Sequence, residues 1–451
     1  AQPCPAGGPF SKMTVNEDDL ERHGIDFDDP TLAPDDHAND AFVAANLKRN
    51  FIANFGHGML GMTGFRLINA PTFVPAYIFM LTGSSMMVGV SQALQQIGAV
   101  ASPLLNASAI EDKKRILPTA LRTGMMMRLP LLGLALAGWL LSGPWLIGLT
   151  LLFLTMFGYY SGAQRVSFQM LMAKVIPLEK RGRLQGYRNL AGGAIAAALS
   201  WWAGKTLIEG NVLGNGYATT FMLSFILTSL GLTVLVMLIR EPDSHQRRAP
   251  MKLRHRLREL PLLLNDKAYK YFLIGQLLTT AGRIGMPFCI LHAGQVMHLD
   301  GRALGLLSFA FLGADTLANL VWGVLGDRKG FRLVFVLSLL LWIGAFAMML
   351  VAHDQTGFVL GFVAMGAASS GYMMGAQTLV LEFGSREDIP MRLAMSATAE
   401  TSVASISPLI GGVIATVYGF TTLIGLSMAL LGCALVVVTL LVKDPRYAVG
   451  R

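Results

Sequence analysis

From Phe51 onward, apolar runs of about twenty to thirty residues are separated by short polar clusters, and each run is close to the roughly 20 residues that a helix needs to cross a bilayer. The pattern places helices over roughly 52–81, 86–107, 116–141, 145–171, 184–208 and 218–239. After a polar stretch it places six more, over roughly 269–295, 303–325, 331–352, 356–383, 392–418 and 420–442. The expected fold class is therefore all-α and polytopic, with twelve transmembrane helices and both termini on one side. The expected organisation is an acidic tail over 1–46, a six-helix bundle over 47–239, a basic linker over 240–268 and a second bundle over 269–445.

The tail carries Glu17, Asp18, Asp19, Asp28, Asp29, Asp35 and Asp36 among prolines, a composition that predicts disorder. It lacks the basic start and apolar centre of a secretory signal, so it is expected to stay on the side of synthesis. The linker, with Arg247, Arg248, Lys252, Arg254, Arg256 and Arg258, reads as a solvated connector lying near anionic head groups.

Composition agrees with a lipid setting: 53% of the 451 residues are hydrophobic and 14% charged, against about 25% charged in soluble domains. The net charge of +9 does not point to nucleic acid, because the basic residues sit beside the apolar runs. Lys48, Arg49, Lys113–Arg115, Lys174–Arg183, the linker and Arg328–Arg332 share one face, whereas the opposite face has Lys205 and Arg302. By the positive-inside rule, both termini are expected in the cytoplasm. Cys4, Cys289 and Cys433 are too few and too dispersed for a disulfide framework or a thiolate metal site. Neither a cofactor nor a metal is expected.

The two halves repeat. Gly162-Ala163-Gln164 followed by Ile176-Pro177 recurs 213 positions later as Gly375-Ala376-Gln377 followed by Ile389-Pro390. Arg66 and Arg283 lie 217 apart, and Asp112 and Asp327 lie 215 apart. A parallel repeat of six helices implies two bundles related by an axis along the membrane normal.

After the eighth span comes Gly323-Val324-Leu325-Gly326-Asp327-Arg328-Lys329-Gly330-Phe331-Arg332. This loop resembles the signature loop of the major facilitator superfamily. The first-half copy, Glu111-Asp112-Lys113-Lys114-Arg115, keeps the acid and the bases but lacks the glycine turn. Pro177-Leu178-Glu179-Lys180-Arg181-Gly182-Arg183 is similar to the segment leading into the fifth helix of many members. The resemblance covers about 51–445 and implies a gating latch of Asp112, Asp327, Arg328 and Arg332. In such a latch a carboxylate faces a helix N-terminus while the arginines pair with acids. Gly56-His57-Gly58-Met59-Leu60-Gly61 matches a dinucleotide pattern, but no strand precedes it, and glycines in a membrane helix allow close packing.

Ionisable residues inside spans are costly and are functional candidates. Arg66 and Arg283 each lie about fourteen residues into their helices, roughly 20 Å at 1.5 Å per residue, near mid-membrane. Converging on the central axis, their forked donors are suited to a carboxylate or phosphate. The alternative is that each pairs with an internal acid such as Asp315 or Glu400, or reaches carbonyls at a break near Pro71 or Pro287. Asp315 and Glu400 are the candidate proton carriers. Asn69, Gln95, Gln276 and Tyr372 are candidate cavity ligands, although polar residues also bridge membrane helices. Arg122, Arg128, Arg165, Arg188 and Glu382 lie nearer the basic face, where snorkelling to the interface accounts for several of them.

These features predict a secondary transporter of a bacterial inner membrane, a monomer whose partners are a small-molecule substrate and lipids. A small organic anion is the favoured substrate and proton coupling or exchange the favoured energetics. Efflux of an amphipathic or lipophilic compound is the alternative within transport, and a non-transporting receptor or assembly factor the alternative outside it. No catalytic constellation survives its context, so an enzyme is not expected.

Overall fold

A computed structural model describes residues 34–106, 115–242, 264–383 and 389–442. Its elements are helical, and twelve helical spans succeed one another among the described residues. The first span is α1 (Pro34–Asn69) followed, across a break at Ala70–Thr72, by α2 (Phe73–Thr82). Then come α3 (Ser85–Asn106), α4 (Leu117–Leu140), α5 (Gly143–Val175), α6 (Leu178–Trp202) and α7 (Gly216–Leu238). The second half holds α8 (Lys267–Gly282), α9 (Cys289–Val296), α10 (Gly301–Lys329), α11 (Phe331–Val351), α12 (Gln355–Leu379) and α13 (Ile389–Leu440). Among the described residues, eight runs are long and apolar enough to cross a membrane by length and composition. The 52-residue α13 contains two of the twelve spans, separated by Gly419 at φ 83° and ψ 169°, a conformation that is essentially reserved for glycine.

Two expectations need correction. Helix α1 begins at Pro34, so residues 34–46 extend the first span and are not part of an irregular tail; residues 1–33 lie outside the described residues. The fifth span does not end as a regular helix. It widens into a π-helical turn, Ala203–Ile208, a form concentrated at functional places in helices. Most of the linker, 243–263, also lies outside the described residues.

Helix ends inside or near lipid must have their polar groups satisfied. Asn215, Asp266, Asp300 and Asp354 accept backbone N–H groups at the starts of α7, α8, α10 and α12. Arg49 donates to the carbonyls of Leu238 and Met237, and Asn50 exchanges two bonds with Arg240, closing the end of α7. Glu241 accepts from Ile116 and Leu117 at 2.7 and 2.8 Å and pairs with Lys174 at 2.9 Å.

The bundles meet along two glycine seams. Gly89 of α3 lies against Pro408 and Gly412 of α13, and Gly204 of the π turn lies against Gly301 and Gly305 of α10. A side chain at any of these positions would strike backbone, so glycine sets the approach. The seams occupy the face poor in basic residues, and Glu209 reinforces them by accepting the Gly301 N–H at 2.8 Å, while Thr72 and Ser308 bond at 2.6 Å. Nearer the basic face several glycines border open space. A Cβ at Gly182 or Gly186 of α6, or at Gly323 of α10, would meet no atom within 4 Å.

Candidate functional site

The first span breaks after Asn69, at Pro71, and the seventh turns into a 3-10 stretch, Arg283–Phe288, containing Pro287. Proline removes a helical hydrogen bond and crowds the preceding turn. Arg66 and Arg283 stand within five residues of these prolines, so the repeat places each guanidinium beside an interrupted helix.

Each arginine has found a carboxylate. Arg66 donates from Nη1 to Asp315 Oδ2 at 2.8 Å and to Thr316 Oγ1 at 3.2 Å. Helices α1 and α10 belong to different bundles, so this pair ties the halves together just on the basic side of the seam. Gly193 of α6 leaves the room that Arg66 Nη1 and Thr316 occupy.

Arg283 pairs within its own bundle, with Nη1 3.8 Å from Glu400 Oε1. Glu400 is the centre of a small network: it accepts from Tyr372 Oη at 3.0 Å and from Gln276 Nε2 at 3.0 Å. Ser396 Oγ donates to Gln276 Oε1 at 2.5 Å, and Thr280 bonds Tyr372 at 3.1 Å. The Arg283 guanidinium lies 4.9 Å from the Tyr372 ring centre and 5.8 Å from that of Trp342, a cation–π setting. Its Nε is buried and bonds to nothing.

Gln276, Tyr372, Arg283 and Glu400 are thus brought together, as are Arg66 and Asp315. Asn69 and Gln95 pair with each other, the Gln95 amide donating to Asn69 Oδ1 at 2.9 Å. Both lie in the first bundle. Thr316, Ser396, Thr280 and Trp342 are participants that sequence reasoning missed, and their only advance signal is that Thr316 adjoins Asp315. A cavity of about 630 Å³ at the basic-poor end of the seam, lined by Phe79, Tyr217, Leu291, Gln295 and His298 among others, contains none of the residues expected in the site.

The latch residues divide. Asp327 and Arg328 are exposed on the basic face, and Asp112 lies outside the described residues. Arg332, expected to pair with acids, instead donates to the carbonyls of Val438 and Thr439, closing the end of α13. The signature glycines have plain reasons: Gly330 has φ 97°, and the Phe331 ring lies against Gly326 where a Cβ would stand. In the rejected dinucleotide pattern, Gly56 packs on Val234 and Gly58 is crossed by the Arg188 side chain, both helix contacts.

Comparison with known proteins follows the same line. A model described as the Major Facilitator Superfamily matches residues 272–450. A protein of Proteus mirabilis (strain HI4320), the multidrug resistance protein MdtG, is 29% identical over 177 residues, 38% of this chain; the match spans 43% of that relative, less than half its length. Among solved structures, a mutant of the nucleoside transporter NupG superposes with a TM-score of 0.69 at 14% identity, over 87% of this chain and 100% of the other. A D-xylose-proton symporter superposes with a TM-score of 0.67 at 13% identity, over 89% and 99%. At these identities the structures speak for the shared fold.

Proposed function

We propose that the chain, whose residues 272–450 match a model described as the Major Facilitator Superfamily, is a proton-coupled secondary transporter working by alternating access, with Arg66–Asp315 joining protonation to movement. One observation carries this reading: of the two mid-membrane pairs, Arg66–Asp315 spans the bundles, whereas Arg283–Glu400 stays within one. The bundles are in close contact at the glycine seams on the basic-poor face. The bridge must therefore break before the seams open. A proton on Asp315 removes the charge that holds Arg66 and frees the bundles to rock; its departure restores the bridge. In the membrane, the basic face is the cytoplasmic one.

With each arginine matched by a carboxylate, the midplane is close to neutral and does not call for an anion. An amphipathic or lipophilic compound suits it better, and the similarity to MdtG supports that class. A small organic anion remains a second reading because Arg283 is held loosely at 3.8 Å and its Nε is free to donate.

The test is transport into proteoliposomes under an imposed pH gradient. Wild-type flux should follow the gradient, and Asp315→Asn should bind the substrate but no longer respond to the gradient. Gradient-driven flux that survives this change would remove Asp315 from coupling. A thermal-shift screen with lipophilic cations and organic anions separates the substrate classes. Stabilisation by anions that weakens more than about tenfold in Arg283→Lys would favour the second reading.

A further inference from the structure

Four basic-face residues of the first bundle were open to a snorkelling explanation; like Arg128, Arg188 is treated differently by the fold. It turns inward, with 5% of its surface exposed. The side chain crosses α1 at Gly58, where a Cβ would collide with it, and the guanidinium rests 4.7 Å from the Phe168 ring centre. Its hydrogen bond is a long one, 3.4 Å from Nη1 to Gln185 Oε1, and its Nε is buried without a partner.

His57 stacks on the same ring at 4.8 Å, is 6% exposed, and has both ring nitrogens buried without a partner. Arg128 of α4, 3% exposed, stands within electrostatic range of His57 as well; its donors go to the carbonyls of Thr228 and Gly124. Among the described residues, neither Arg128 nor Arg188 has a carboxylate partner, in contrast to Arg66 and Arg283. Two guanidinium charges and unbonded N–H groups are thus gathered in a bundle interior, where uncompensated charge is strongly disfavoured.

We propose that the first bundle holds a small monovalent anion, of halide or carboxylate type, between Arg188 and His57. Such an anion accepts from Arg188 Nε and from the protonated nitrogen of His57, and offsets the two arginines. Phe168, on whose ring both side chains rest, and the α1 backbone at Gly58 flank the place. Access is from the basic face, where Gln185 is exposed and the neighbouring Gly186 is open. The site is separate from the midplane pairs, since Gly58 lies eight residues before Arg66, about 12 Å along the helix. The inference does not depend on what is transported.

Purified full-length protein melted at constant ionic strength in potassium gluconate, chloride, bromide, nitrate or acetate tests it. A small anion should raise Tm saturably, by about 2 °C or more. The rise should disappear in Arg188→Gln and persist in Arg66→Gln. A rise confined to chloride and bromide assigns the site to halide, and one confined to acetate to carboxylate. Equal Tm in all five salts, or a rise that survives Arg188→Gln, overturns the proposal. Should Arg188→Gln not fold, bromide-soaked wild-type crystals decide. An anomalous peak between Arg188 and His57 supports the site, and its absence at a bromide concentration that saturates the Tm shift refutes it.

Discussion

Asp315 and Arg66 balance one another across two bundles, so removing either leaves a charge in a place built for a pair. Asp315→Asn or Arg66→Gln alone should cost about 2 kcal/mol of stability, and the double neutral variant should recover most of it. Denaturant melts of the four proteins in detergent give the coupling directly. The depth of both arginines and the identity of the acids were readable in the chain, because position along a helix converts to height. Partnership was not, because Asp315 is 249 residues from Arg66 and only the docking of the halves brings them together. Arg188 misled for a related reason. Whether a long side chain snorkels or turns inward depends on the neighbour it crosses, and here Gly58 makes room.

At the level of elements, apolar runs located the spans and prolines marked the interruptions at Pro71 and Pro287. The start of α1 was read as tail because acids and prolines suggest disorder. Yet a proline followed by Asp35 and Asp36 is also how a helix begins, with acids near its positive end. The π turn leaves no mark in hydrophobic periodicity, yet it supplies Gly204 to the seam. Gly204→Val should hold the bundles apart on the basic-poor face. A cysteine placed at Ser308, buried behind that seam, should then react several-fold faster with a membrane-impermeant maleimide than the same cysteine in a chain that keeps Gly204. Gly419→Ala forces a side chain into the φ 83° corner between the last two spans, and a loss of about 1–3 kcal/mol is expected in the same melts.

For the whole molecule, the proposed alternation requires that one face close before the other opens. Asp327 lies exposed on the basic face, so the proposed latch would form in another state of the cycle. Asp327→Asn should slow exchange in proteoliposomes several-fold while leaving substrate affinity within about twofold, at equal expression. Unchanged exchange would retire the latch. On the proposed mechanism, one proton exchanged at Asp315 in each cycle also fixes a stoichiometry. A proton falling through about 150 mV releases roughly 3.5 kcal/mol, and at 1.4 kcal/mol per factor of ten that sustains a concentration ratio of about 300 for an uncharged substrate. Vesicles energised to that potential should stall near this ceiling. A plateau near its square, about 10⁵, would mean that Glu400 delivers a second proton in every cycle.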